Sequence, residues 1–325
     1  MSSGTGTTMT VGTREHALEA CSAFIVCPAC RGKLDSAGPS IHCLACAREF
    51  SFTEGFPDLI VGQRFEDATT ADKMLYEERS NQDTTINFWI PMFRKLWGKS
   101  TSRHGVRLLS LGCGVGVDVD LLAAEGFECV GIDCGNRTNF WSRRQHPERL
   151  LLANGMNLPF EDGSFDGVFC GCVFPHVGVI GDSFQVTPHY YQDRLRLAKE
   201  MSRVLRPGGT ILVSSPNRYC VFDLFHGRAE GSYKPRFNPP SSPFLLSCSD
   251  YRRLFRDAGM SAAELQPVQK YWGFIRANNS IKGKLAGLAP KAAFWLVSQP
   301  GLRFLLSSPV NPWLVVMSHK TEAAR

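Results

Sequence analysis

The sequence lacks a strong charge excess: 36 Lys and Arg stand against 30 Asp and Glu, a net +6 over 325 residues. That is far below the density of a chain whose main task is coating nucleic acid. It also lacks an apolar run of membrane length, because Phe304 to His319, free of Asp, Glu, Lys and Arg, is broken by Pro309 and Pro312. Met1 to Thr13 hold neither a basic n-region nor an apolar h-region, so no signal peptide is read there and residues 1–20 are expected to form a flexible tail. There is no internal repeat. With 43% hydrophobic and 20% charged residues the chain is globular, and its length is about twice that of a typical domain, so two units are expected.

Twelve cysteines are present, four of them in two tight pairs, Cys27-Pro28-Ala29-Cys30 and Cys43-Leu44-Ala45-Cys46, with twelve residues between the pairs. Each C-x-x-C presents two thiolates to one side of an ion, and a hairpin between the pairs closes a tetrahedral four-sulfur site suited to structural zinc. Redox dithiols of this spacing occur singly in a strand-helix setting, which is missing here. The remaining cysteines are scattered, several in apolar segments, as in a reducing cytosol, so a cytoplasmic protein is expected. Residues 24 to 60 resemble the zinc ribbons of the tRNA-methyltransferase activator type and those preceding some ribosomal RNA and small-molecule methyltransferases. The expected organisation is a ribbon over 21–62, a helical linker or substrate cap over 63–100, and a larger domain over 101–320 with insertions at about 220–248 and 276–310.

In the larger unit, Val106 to Leu111 reads as a buried strand that runs into Gly112-Cys113-Gly114-Val115-Gly116 and then a helix from Val117. Alternate glycines let a ligand approach the backbone at a helix N-terminus. The next strand ends at Asp133, 21 positions after Gly112, near the spacing at which a carboxylate meets ribose hydroxyls. Valine occupies position 117, where a dinucleotide enzyme would want glycine. Leu158-Pro159-Phe160-Glu161-Asp162-Gly163-Ser164-Phe165-Asp166 and Arg203-Val204-Leu205-Arg206-Pro207-Gly208-Gly209 follow, the latter between a helix and a strand.

Together these blocks resemble a class I S-adenosylmethionine-dependent methyltransferase of the type 11-like group, over about residues 105 to 265, with 312–320 as a last antiparallel strand. The resemblance implies an α/β fold, a Rossmann-like seven-stranded sheet carrying the small zinc ribbon. It places Gly112, Gly114 and Gly116 along the methionine moiety, Asp133 on the ribose and Asn154 at the adenine amino group. Ser110 stands where the family often has an acid near the sulfonium. The acceptor side is expected at the carboxyl ends of the strands, with His176 after the fourth strand and an Asp223/His226 pair, should those two share a helical turn, as acid-base candidates. The main reading is a methyltransferase acting on a small or lipophilic metabolite. Ribosomal or transfer RNA methylation, with Arg196, Lys199, Arg203 and Arg206 as a patch, is a less favoured alternative, and a non-catalytic cofactor-sensing partner module is another. The apolar, lysine-dotted stretch 281–309 allows a peripheral membrane contact. Nothing in the sequence fixes an oligomeric state or an acceptor atom.

Overall fold

The computed structural model describes residues 23–36, 38–65, 71–98, 105–181, 183–227, 235–271, 285 and 288–321. The expected tail over 1–20 and residues 276–284 of the second insertion, with Lys282 and Lys284, lie outside them. The chain opens with four short strands, β1 (Leu34–Asp35), β2 (Ile41–Cys43), β3 (Glu49–Thr53) and β4 (Phe56–Asp58), paired antiparallel in succession. Glu54 and Gly55 join β3 to β4 with φ of 52° and 89°, the two positive values that a tight hairpin turn requires.

A helical linker follows: α1 (Ala71–Thr84), a wide π turn (Thr85–Trp89) and α2 (Ile90–Trp97). Pro91 has no N–H to give to the turn behind it, and it stands in the first turn of α2 just after the wide one. Phe88, Trp89 and Phe93 are buried against Tyr271 and Phe169, so these aromatics belong to the core.

The main unit then runs β5 (Arg107–Leu111), α3 (Val117–Ala124), β6 (Glu128–Asp133), α4 (Thr138–Trp141), β7 (Leu150–Leu152), β8 (Phe165–Gly171), α5 (Tyr190–Val204) and β9 (Leu205–Pro216). After them come a hairpin of β10 (Phe222–Gly227) and β11 (Pro235–Phe237), α6 (Cys248–Asp257), β12 (Glu264–Leu265), α7 (Leu288–Val297), a 3-10 turn (Pro300–Ser307) and β13 (Trp313–His319). The strands lie in the order β7-β6-β5-β8-β9-β13-β12, seven in all, with β13 antiparallel to both of its neighbours.

The sheet extends beyond the expected seven strands. β4 adds parallel to β7 at Asp58 and Leu152, and the ribbon thereby prolongs it to eleven. An uncovered β7 would present unpaired N–H and C=O groups. Instead the Leu59 N–H donates to the Leu152 carbonyl at 2.8 Å, and a second seam joins the Val26 N–H to Pro159 at 3.0 Å and the Glu161 N–H to Phe24 at 2.9 Å. Cys27, Ile41, Cys43 and Phe50 of the ribbon share one buried cluster with Leu109, Ile132 and Leu151 of the main sheet. The ribbon core is therefore continuous with the sheet core.

Candidate active site

Strand order reverses at β5, which lies between β6 and β8, and in such sheets the crevice at the carboxyl ends of these strands takes the ligand. The glycine loop fills the turn after β5. Gly112, Gly114 and Gly116 all have positive φ, at 72°, 55° and 76°. A Cβ on Gly112 would come within 2.5 Å of Val173, so that position needs glycine for space as well as conformation; one on Gly114 would meet only the end of the Glu77 side chain of α1, which can swing aside, so there the positive φ is what favours glycine. Cys113, between them, is buried, and burial pushes its thiol far up from the usual range, consistent with a packing role.

Asp133 ends β6 half-buried, and its carboxylate accepts from the Gly114 N–H at 2.9 Å and the Gly135 N–H at 2.8 Å. Asn154, buried after β7, donates its amide to the Gln63 carbonyl at 2.7 Å and accepts from the Met156 N–H at 2.9 Å. Asn157 similarly donates to the Val61 carbonyl at 3.1 Å. The segment leaving the ribbon, Val61 to Phe65, is thus tied across the ends of β6 and β7.

Two contributors escaped the sequence reading. Ser110 does not stand in place of a carboxylate alone, because its hydroxyl donates to Asp118 at the start of α3, and both side chains are buried. Burial raises the Asp118 carboxyl to about 6, against the lowering effect of that hydrogen bond. An acid two residues past the last loop glycine was the available signal. The second contributor is Arg194, 3% exposed, which donates to the carbonyls of Val177 at 3.1 Å, Pro243 at 2.8 Å, Pro175 at 3.2 Å and Phe244 at 2.9 Å. Burial lowers its pKa to about 10. It binds the loop after β8 to the loop after β11, and its signal was a cation at helical spacing with Leu197, Ala198 and Met201 on the apolar stripe of α5.

On the acceptor side, Cys172 holds φ of 57°, unusual for a non-glycine residue, and its N–H donates to the Ser214 carbonyl at 2.7 Å. This bend starts the short turn Phe174–His176. His176 is half-buried between the rings of Phe65 and Phe244, whose centroids are 6.3 and 5.7 Å from its own. Asp223 and His226 lie on β10 and not on a helical turn, so the condition for their pairing is not met. Asp223 is buried and pairs with Arg236 at 3.3 Å, while the side chain of His226 lies outside the described residues.

The four ribbon cysteines converge. All four sulfur positions lie within 4.8 Å of one another, with Cys27 to Cys46 at 3.8 Å and Cys30 to Cys43 at 3.4 Å. Four thiolates about 2.3 Å from a central zinc would stand about 3.8 Å apart, so the donor set fits that ion. On α5, Arg196 donates to the Met156 carbonyl at 3.0 Å and Arg203 to those of Phe160 at 2.7 Å and Leu158 at 3.0 Å, while Arg206, which falls on β9 and not on the helix, pairs with Asp166. Three of the four cations read as a patch therefore have partners within the protein.

Residues 109–213 match the family model described as a methyltransferase domain. A probable S-adenosylmethionine-dependent methyltransferase of Mycobacterium tuberculosis is 28% identical over 198 residues, 59% of this chain and 63% of the relative. A demethylmenaquinone methyltransferase of Symbiobacterium thermophilum is 29% identical over 160 residues, 45% of this chain and 58% of the relative. Among solved structures, the phosphoethanolamine N-methyltransferase 2 of Haemonchus contortus, with S-adenosylhomocysteine, matches 82% of this chain and 62% of that one at 16% identity and a TM-score of 0.49. The chain thus spans a little under two thirds of the Mycobacterium relative. Residues 109–213 thus match a methyltransferase domain, and they lie in a Rossmann-like α/β sheet preceded by a four-cysteine cluster.

Proposed function

We propose that the protein is an S-adenosylmethionine-dependent methyltransferase acting on a small or lipophilic acceptor by direct in-line transfer. The observation that carries this reading is the glycine loop at the strand-order reversal, its three glycines all at positive φ, with Asp133 held beside it by two backbone N–H groups. In this assignment Gly112, Gly114 and Gly116 leave room for the methionine moiety, Asp133 accepts from the ribose hydroxyls, and Asn154 with the 61–65 segment borders the adenine. The bound cofactor supplies an activated methyl group. The chain itself positions the acceptor and excludes water. His176, between two aromatic rings, is assigned to the acceptor side and takes a proton only where the acceptor holds one at neutral pH. Asp223 is assigned to the hairpin through Arg236. Cys27, Cys30, Cys43 and Cys46 are assigned to a structural zinc ion, since a closed four-thiolate set leaves no open coordination position.

The small-molecule reading is supported by the internal pairing of Arg196, Arg203 and Arg206 and by relatives named for small acceptors, a glycine N-methyltransferase of Rattus norvegicus and the demethylmenaquinone methyltransferase of Symbiobacterium thermophilum. The test supplies labelled S-adenosylmethionine and the full chain to a cell extract, which is then separated into lipids, small molecules, RNA and protein. Label in the lipid or small-molecule fraction is the expected result. Label confined to RNA would overturn the acceptor class, and no transfer despite intact cofactor binding would replace catalysis with cofactor sensing.

A further inference from the structure

The second insertion has two apolar faces. One is anchored: Phe294 and Val297 of α7 and Leu306 of the 3-10 turn are each no more than 2% exposed. Buried Ser298 accepts from the N–H groups of Val268 at 3.1 Å and Gln269 at 2.9 Å. Asn217, just past β9 at the site end of the sheet, donates to the carbonyls of Ser308 at 2.9 Å and Asn311 at 2.8 Å. The insertion is therefore fixed beside the crevice rim.

The other face is open. Leu288, Trp295 and Leu296 recur on α7 at i, i+7 and i+8, one side of a helix, and are 58%, 53% and 44% exposed. Phe304 and Val310 extend the patch at 70% and 62%. Helices that are apolar on all sides are normally covered on all sides, and an exposed patch of this kind marks a contact surface. Its charge identifies the contact. From Gln266 to Thr321 there is no Asp or Glu: all 30 acidic residues lie elsewhere, while this stretch holds seven Lys or Arg. Two of these, Lys291 and Arg303, are exposed on the insertion itself.

We propose that the face formed by α7 and the following 3-10 turn docks on an anionic lipid bilayer. The leucines and aromatic rings would enter the boundary between headgroups and acyl chains, and the cations would meet lipid phosphates. A second copy fits less well, because Lys291 and Arg303 would face their own counterparts, and the acid that Lys291 acts on, Asp83 of α1, belongs to the same chain. RNA also fits less well: Trp295 and Phe304 could stack bases, but Leu288, Leu296 and Val310, the other three exposed apolar side chains of the face, offer no stacking surface. The face uses none of the cofactor-loop residues, so it stands or falls independently of the methyl-transfer reading.

Flotation of the full chain with phosphatidylcholine vesicles, with and without one quarter phosphatidylglycerol, tests the proposal. Binding should be at least ~10-fold stronger to the anionic vesicles, with Lys291→Gln plus Arg303→Gln weakening it by about 25-fold, roughly fivefold for each cation. Trp295→Ser plus Phe304→Ser should abolish flotation. In wild type, brominated acyl chains should quench Trp emission, and Trp295→Phe should remove most of that quenching, a readout that does not depend on the double variants folding. No binding to anionic vesicles, unchanged binding of both folded double variants, tighter binding to single-stranded RNA through the same residues, or a dimer broken by Trp295→Ser would each overturn it.

Discussion

Asp118→Asn should remove a pH dependence from folding. The Asp118 side chain is 7% exposed, one oxygen accepts from Ser110 and the other from the Val119 N–H at 3.0 Å. Burial lifts its carboxyl from 3.8 to about 6. The native state therefore retains a proton that the unfolded chain releases near pH 4. The associated stability is complete below that pH, falls as pH rises through about 6, and stays lost above it. A carboxyl raised from 3.8 to about 6, at about 1.36 kcal/mol for each tenfold change in proton affinity, amounts to roughly 3 kcal/mol over the whole range. Asparagine does not titrate, and it forfeits part of the hydrogen bond from Ser110, about 1 to 3 kcal/mol, by an amount nearly independent of pH. Urea unfolding of both proteins from pH 4 to pH 7.5, extrapolated linearly, reads the difference directly. The variant should gain about 2.4 kcal/mol relative to wild type between pH 4 and pH 7, since at pH 4 the unfolded carboxyl is already partly ionised. A difference that stays constant across that range would show that the Asp118 carboxyl is not shifted and that its burial is misjudged.

Two further outcomes follow from the scaffold. If the four cysteines hold the zinc proposed for them, a chelator should lower Tm and accelerate amide exchange at Leu59, Val26 and Glu161, which join the ribbon to the main sheet, as well as inside the ribbon; unchanged exchange at those seams would contradict a shared core. Arg194→Met keeps the aliphatic stem but leaves four carbonyls without their donor, so stability should fall by ~3 kcal/mol and exchange near 175–177 should quicken more than in β5; a loss under 1 kcal/mol in denaturant unfolding would remove its role as a clamp.

The main sheet was readable because each element had a local cause. Arg107 to Leu111 and Glu128 to Asp133 are apolar strands, the glycines mark the turn, and the antiparallel β13 falls where the resemblance placed it. The four cysteines were readable from spacing alone. What the sequence hid was long-range pairing. Nothing local in Phe56 to Asp58 says that this strand will join β7, about a hundred residues later, because edge-strand addition depends on which backbone groups remain unpaired after the rest has folded. The same holds at the site. Arg194 looks like one more cation on a solvated helix until the carbonyls of Pro175, Val177, Pro243 and Phe244 converge on it. Asp118 looks like a first-turn acid until β5 brings Ser110 against it. Asp223 and His226 were paired on the assumption of a helical turn, whereas the antiparallel pairing of Phe222 with Phe237 draws that segment into a hairpin.

Cofactor binding at the end of β6 is read at Asp133. Its carboxylate already orders Gly114 and Gly135, and each charge-assisted hydrogen bond lost to a ribose hydroxyl is worth about 1.5 to 3 kcal/mol. Calorimetric titration of the full chain with S-adenosylhomocysteine should show one site, weakened at least ~10-fold in Asp133→Ala and by an intermediate amount in Asp133→Asn, while thermal melts keep a cooperative folded state. No binding by the wild-type protein, or unchanged affinity in a folded Asp133→Ala protein, would contradict the placement of the cofactor and every acceptor-side assignment built around it.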